Sequence, residues 1–301
     1  MYNKPMNQKT AHTVAMTGAT GFVGSRLSGF FQEQGWRVKP IGRRDLQAGP
    51  PELAEKIKGA DIMVNLAGAP IIGRWTKAYK KVLYDSRITV TRVLVEACSL
   101  LDNKPGAFVS TSAIGYYASQ GTHTEDRHVR ADDFLGHLTR DWEQEALRAG
   151  ELGIRTVIFR FGVVLGRNGG ALKQMLTPFR LGLGGMIGDG RQPFSWIHIQ
   201  DLLQAYRTVI LNSSYKGIYN LTAPNPTTNQ GLTRALGRVL SRPVVLNVPK
   251  FVLRLKFGEG AQVLTSGQSV IPGRLLESGF SFQFADIDEA LRDCVSREDR
   301  R

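Results

Sequence analysis

The segment Thr17-Gly18-Ala19-Thr20-Gly21-Phe22-Val23-Gly24 limits what this chain can fold into more than any other stretch. The short apolar run 12–17 before it predicts a strand. Apolar residues at helical spacing across 22–34 predict a helix that stops at Gly35, and 36–41 predicts a second strand. Strand, glycine turn, helix and strand in this order make a βαβ unit. In such a unit the first glycine permits a tight turn, the second lets backbone approach a pyrophosphate, and the third allows close helix–sheet packing. The helix N-terminus adds favourable charge for an anion. Gly18, Thr20, Gly21, Phe22, Val23 and Gly24 are therefore the expected pyrophosphate contacts. The GxxGxxG spacing differs from the GxGxxG of ordinary dehydrogenases. A purely structural glycine turn is the competing reading, but the strand and helix on either side are the context a binding loop needs.

The end of the second strand bears on which dinucleotide is bound. A carboxylate there would hydrogen-bond the ribose hydroxyls of NAD, whereas arginine suits a 2′-phosphate. The sequence is Gly42-Arg43-Arg44-Asp45. Arg43, with Arg44 beside it, points to NADP. The alternative leaves both arginines as surface charges and lets Asp45 read the ribose.

The alternation continues: a strand over 62–66, a long amphipathic stretch over 76–101, a strand over 107–109, a helix over 134–148 and a strand over 154–161. This is an α/β pattern, a doubly wound parallel sheet of the Rossmann kind. After Gly162 glycines crowd the sequence to Gly190, which predicts a mobile, loop-rich region that closes over a ligand. A strand over 194–199 follows, then a helix over 202–211 capped by Asp201, a strand over 218–221, and helices near 228–240 and 286–295. The expected organisation is a dinucleotide-binding domain over 11–170, its sheet completed by 194–222. A smaller C-terminal region over 171–301 would cover the substrate.

Of the 301 residues 42% are hydrophobic, which suits one packed α/β protein. No apolar run is long enough for a membrane span. Residues 1–10 read as a frayed extension without a secretory signal. Cys98 and Cys294 have neither metal-ligand nor disulfide spacing, so a reducing cytoplasm is expected and no metal is. The net charge of +13 could attract polyanions. The basic residues are nevertheless scattered, the densest clusters being Lys77–Lys81 and the tail Arg292–Arg301. With no recognisable nucleic-acid module, a small-molecule substrate is expected instead, and RNA binding through the basic surface is the outlying alternative.

TGATGFVG, NLAG at 65–68 and STSAIGYY at 110–117 resemble the extended short-chain dehydrogenase/reductase superfamily. The stretches 74–97, FLGHLTRDWE at 134–143, FRFGVVLGRNGGAL at 159–172 and 179–202 are similar to its predicted nucleoside-diphosphate-sugar epimerases, some filed as cell-division inhibitors. Residues beyond about 245 resemble that subfamily's small C-terminal domain of unknown function. The resemblance implies that Asn65, Leu66, Ala67 and Gly68 line the cofactor, and that Ser110 and Thr111 end a strand beside the nicotinamide. It further implies that Ser112 hydrogen-bonds the reacting oxygen, that Arg160, Gly162 and Val163 lie at the nicotinamide end, and that 179–192 covers the substrate. The superfamily's frequent dimers make 76–101 the expected homodimer face.

One element of that pattern is missing. The superfamily's proton chemistry uses Tyr-x-x-x-Lys, and no tyrosine in this chain has a lysine four residues later. Within FLGHLTRDWE the best register puts Leu135 and Thr139 in the two places. Tyr116, four residues after Ser112, is the substitute catalytic candidate, with a pocket-wall aromatic as the plainer alternative. His137 is a further candidate. Ser195, His198 and Asp201 have the residue types of a hydrolase triad, but on a strand Ser195 and His198 point to opposite faces. Two functions remain. One is an NADPH-dependent oxidoreductase or epimerase acting on a small substrate, nucleotide-sugar-like if the resemblance extends that far. The other is an NADPH-binding sensor or scaffold that turns nothing over.

Overall fold

The computed structural model describes residues 11–295. The expected N-terminal extension and the end of the basic tail lie outside them. Six strands form one parallel sheet: β1 (Thr13–Thr17), β2 (Arg37–Ile41), β3 (Ile62–Asn65), β4 (Ala107–Ala113), β5 (Arg155–Phe161) and β6 (Gly217–Leu221). Their order is β6-β5-β4-β3-β1-β2. The order reverses between β1 and β3, and such a crevice at the carboxyl ends of the strands is where open α/β sheets bind ligands.

Alternation along each strand sorts side chains to the two faces. Val14, Met16, Ile62, Val64, Val109 and Phe159 pack with Leu27 and Phe31 of helix α1 (Phe22–Glu33), and with Leu202 and Tyr206 of a helix over Ile199–Leu211. Ala15, Met63, Phe108 and Ile158 face the other way. They pack with Leu53, Leu94, Cys98 and Ala146, from helices over Pro50–Ile57, Val90–Ser99 and Phe134–Glu151. The doubly wound reading is therefore what the chain adopts. Cys98 and Cys294 are free and buried, and burial pushes both thiols up to about 12.

Several expectations change. The stretch 76–101 is not one regular helix: a π-turn over Asp85–Thr89 separates Lys77–Tyr84 from Val90–Ser99. The glycine-rich region is not simply loop, since Gly170–Arg180 is a helix. Several of its glycines serve close packing. A Cβ at Gly169 would lie 2.1 Å from the Phe22 ring, and one at Gly185 the same distance from the Leu246 carbonyl oxygen. Residues 194–199 are two short strand pieces, Pro193–Phe194 and Trp196–His198, paired outside the main sheet; only 217–221 completes it. Asp201 does not cap its helix. His198 occupies the N-cap, its Nδ1 accepting from the Gln200 N–H at 3.3 Å.

Residues 267–284 are strapped to the sheet domain by buried polar groups. The Ser195 hydroxyl donates to the Gln268 carbonyl (2.8 Å) and accepts from the Val270 N–H (2.9 Å). The Asp201 carboxylate accepts from the Gln283 and Phe284 N–H groups at 2.7 and 3.0 Å, and burial raises its pKa. Glu125 accepts from the Asn220 and Arg274 N–H groups. Ser195, His198 and Asp201 thus have separate partners and do not form a triad.

Candidate cofactor and active site

The glycine loop has the shape its sequence demands. Gly18 sits at φ +67°, and a Cβ there would lie 2.8 Å from the Leu66 carbonyl oxygen. A Cβ on Gly24 would come within 2.0 Å of the Gly18 carbonyl oxygen, so helix α1 meets the loop only because that side chain is absent. Gly21 and Thr20 are exposed. Gly21 is the N-cap and brings no side-chain acceptor, and the first turn holds no acidic residue. The leading N–H groups of α1, at Phe22 and Val23, thus have no side-chain cap, which suits them to a phosphate oxygen. The Phe22 ring itself packs against Gly166, Gly169 and Gly170, leaving its backbone as the part available to a ligand.

Asn65 works beneath this loop rather than on its surface. It is buried; its Oδ1 accepts from the Thr17 hydroxyl (2.8 Å), and its amide donates to Thr91 Oγ1 (2.8 Å) and Ser110 Oγ (3.4 Å). Thr17 Oγ1 in turn accepts from the N–H groups of Leu66 and Ala67 at 3.0 and 3.1 Å. Leu66, Ala67 and Gly68 are held beside Gly18 by this lattice, in which Asn65 and Ser110 are both buried.

Arg43 and Arg44 are both exposed at the start of the short helix Arg43–Ala48. Asp45 is already committed: its carboxylate accepts from the Gly42 N–H (2.7 Å) and from Lys56 Nζ (2.8 Å). The Lys56 bond leads in holding its pKa below the ordinary value. The carboxylate that could have read a ribose has other partners, while the two cations stand free of that pair. These residues fit a dinucleotide carrying a 2′-phosphate.

Arg87 has no counterpart in the sequence reading. It lies on the π-turn, and its guanidinium donates to the Ala69 carbonyl (2.9 Å) and the Leu83 carbonyl (3.2 Å), 5.4 Å from the Trp142 ring. A Cβ on Gly68 would sit 3.2 Å from it. Burial pulls its pKa down to about 10, still leaving a cation at neutral pH behind the Gly68–Ala69 backbone. Single π-turns recur at functional sites, but this one is invisible in hydrophobic periodicity.

Ser112, Arg160 and Tyr116 are brought together with residues the sequence did not single out. The Ser112 hydroxyl donates to Glu143 Oε1 at 2.6 Å. Arg160 Nε and Nη2 donate to Glu143 Oε1 and Oε2, both at 2.7 Å, and Nη1 donates to the Tyr117 hydroxyl at 2.7 Å. The Tyr117 hydroxyl in turn donates to Asn220 Oδ1 at 2.7 Å. Burial would lower the Arg160 pKa, but the Glu143 carboxylate outweighs it and holds it above the ordinary range. Burial pushes the Tyr117 phenol up to about 12. The guanidinium lies 3.5 Å from the centre of the half-buried Tyr116 ring. Arg160 is therefore a buried clamp between Glu143 and the two tyrosines, not an open cofactor contact. Thr111 faces the opposite layer, its hydroxyl 3.3 Å from that of Tyr206.

Leu135 packs against Gly115 in the turn that carries Tyr116, where a Cβ would lie 3.3 Å from the Leu135 side chain. Thr139, one turn on, is buried and donates to the Leu135 carbonyl at 2.8 Å. Glu143 follows on the same face after another turn, and that i, i+4, i+8 spacing was the available signal for it. His137 is half-exposed and lies 3.3 Å from Asp132. Gly162 is another close-approach position, a Cβ meeting the Ser195 carbonyl oxygen at 2.9 Å. Beside it, Val163 joins Ile114 and Ile72 in the wall of a cavity roofed by Ile187, Phe194 and Leu264.

The NAD dependent epimerase/dehydratase family matches residues 14–222, and a domain of unknown function, DUF1731, matches 248–294. An epimerase family protein SDR39U1 homolog of Arabidopsis thaliana chloroplasts is 39% identical over 298 residues, covering 93% of this chain and 86% of that one. The epimerase family protein YfhF of Bacillus subtilis is 36% identical, covering 94% and 98%. Among solved structures, human SDR39U1 (isoform 2), crystallised with NADPH, superposes with a TM-score of 0.84 at 33% identity, over 94% of this chain and 98% of that one. A nucleoside-diphosphate sugar epimerase of Corynebacterium glutamicum gives 0.77 at 29% identity, over 95% of this chain and 58% of that one. With a committed glycine loop, an epimerase-type sheet and relatives aligned over nearly their whole length, this chain belongs to the NAD dependent epimerase/dehydratase family and carries its DUF1731 C-terminal domain.

Proposed function

We propose that the chain binds NADPH and acts as an oxidoreductase or epimerase on a small molecule, without the family's Tyr/Lys pair. The observation that carries the cofactor choice is Asp45 tied to Gly42 and Lys56 while Arg43 and Arg44 remain exposed. Bound NADPH supplies a hydride. The uncapped turn of α1 and the Gly18–Gly24 loop take the pyrophosphate, Arg43 and Arg44 the 2′-phosphate, and the backbone of Leu66–Gly68 the adjoining ribose. Arg87 places a cation behind that backbone. Ser112 is oriented by Glu143, and Arg160 fixes the Tyr116 ring; we assign Tyr116 to deliver the proton at the reacting oxygen. Thr111, Gly162 and Val163 shape the nicotinamide end.

Titrating NADPH and NADH separately, by nicotinamide fluorescence, tests the cofactor assignment. Tight NADPH binding that weakens in Arg43→Ala supports it, and preference for NADH with Arg43→Ala silent overturns it. A specific observation also favours the second reading, a sensor that binds NADPH without turnover: Leu135 and Thr139 stand on the helix where the dyad belongs, and the Ser112 proton is committed to Glu143. Substrate-dependent oxidation of bound NADPH, reduced at least tenfold in Tyr116→Phe, would decide for catalysis.

A further inference from the structure

The cavity at the nicotinamide end differs in kind from a nucleotide-sugar site. Its walls come from Ile72, Ile114 and Val163 of the sheet domain, and its roof from Ile187, Phe194 and Leu264. No residue lining it carries a charge. The basic residues of the roof segment are elsewhere: Arg191 is exposed, and Lys250 lies 3.6 Å from Asp189. The volume is about 120 Å³. That approaches the roughly 150 Å³ of an apolar cavity that holds benzene, and it is well below the ~300–1,000 Å³ of ordinary ligand clefts.

Three of the polar side chains in the lining already have partners. Ser195 is bonded to Gln268 and Val270, and Asn229 Oδ1 accepts from the Ile187 N–H at 2.8 Å. Gln192 donates its amide to the Ile187 and Leu264 carbonyls (3.1 and 3.4 Å), while its Oε1 is buried with no partner. A buried acceptor without a donor is costly, and its partner is then expected from a ligand or an ordered water. A diphosphate brought here would meet no cationic side chain, and burying unpaired charge is heavily penalised.

We infer that this cavity takes a small, uncharged, mainly apolar molecule bearing one O–H or N–H donor for Gln192, and that it rejects nucleoside-diphosphate sugars. The inference rests on the reading above only in taking this cavity as the substrate end of the NADPH site. Toluene, benzyl alcohol and UDP-glucose are the probes, each followed by ligand-observed NMR on the NADP⁺-saturated full-length chain. Benzyl alcohol and toluene are expected to bind at millimolar concentration, benzyl alcohol more tightly by roughly two- to tenfold, the worth of one neutral hydrogen bond. Gln192→Met removes that preference, and Leu264→Trp, which fills the cavity, abolishes binding of both while leaving NADPH affinity unchanged. UDP-glucose neither binds nor displaces them.

Binding of UDP-glucose that Leu264→Trp abolishes overturns the inference, as does failure of both apolar probes or their indifference to Leu264→Trp. NADPH titration separates the two readings. If NADPH does not bind but benzyl alcohol does, with the expected response to Leu264→Trp, the cofactor assignment falls and the cavity assignment stands. NADPH binding without either apolar probe gives the reverse.

Discussion

Glu143→Gln is the most informative single change at this site, because it preserves shape and removes only charge and one acceptor. Glu143 and Arg160 are 5% and 3% exposed, so water cannot take over a lost contact. Oε1 accepts from two donors and Oε2 from a third. Either orientation of a glutamine amide therefore turns its NH₂ onto at least one N–H or O–H, and the guanidinium loses its counter-charge. Breaking one side of a buried pair costs about 3–5 kcal/mol. At a few degrees per kcal/mol, the melting temperature should fall by roughly 6–20 °C. Urea unfolding followed by circular dichroism, with differential scanning calorimetry alongside, measures both. Combining Glu143→Gln with Arg160→Met removes the stranded cation and should recover part of the loss. A cost below about 1 kcal/mol, the range of exposed pairs, would mean that the network is hydrated and that the reasoning from burial fails.

Arg43→Ala should weaken NADPH binding by roughly 10- to 150-fold, the equivalent of a charge-assisted bond worth about 1.5–3 kcal/mol, and leave NADH affinity unchanged; calorimetric titration with both cofactors checks it. Gly24→Ala drives a methyl onto the Gly18 carbonyl and should cost about 1–3 kcal/mol along with cofactor binding. Gly29→Ala on the same helix meets nothing within 4 Å and should stabilise by about 0.5–1 kcal/mol, so equal effects in urea unfolding would refute the packing account. His198 is fully buried, and burial pushes its pKa down to about 4 against the pull of Asp293. The unfolded chain binds that proton near pH 6.5, so it holds more protons than the native state between about pH 6.5 and 4, and stability falls as pH drops through that window. His198→Asn, which keeps a capping acceptor, should flatten this slope; wild-type and variant curves that stay parallel would sink the assignment.

The sheet was legible because its determinants are local. Period-two alternation in β1, β3, β4 and β5 sends neighbouring residues to opposite layers, and the glycine loop needs only Gly18, Gly21 and Gly24 in order. The helix inside the glycine-rich region was hidden because glycine has two uses. Gly169 and Gly185 serve close packing, one against the Phe22 ring and the other against Leu246 backbone. Composition alone cannot tell this from mobility when the partners lie 61 to 147 residues away. Asp201 was misassigned for a related reason. A carboxylate in the first turn of a helix is a good local cap, but here 283 and 284 supply two N–H groups and win its lone pairs.

The same limit explains what could be seen of the active site. Ser112 and Arg160 stand near strand ends that a resemblance labels, and Tyr116 follows from its spacing four residues after Ser112, yet what they do depends on Glu143, Tyr117 and Asn220, which arrive from a helix, a turn and the last strand. Absence of Tyr-x-x-x-Lys reads from sequence as loss. In three dimensions the helix that would carry the dyad supplies Glu143 instead, and this carboxylate holds both the Ser112 hydroxyl and the Arg160 cation. A protein that had merely lost its chemistry would have no need to bury an ion pair behind that serine, since an apolar pair of the same volume is often as stable or more so. The uncharged side chains of the adjoining cavity fit the proposed reading, in which Glu143 takes the place of the dyad and the substrate is small and uncharged.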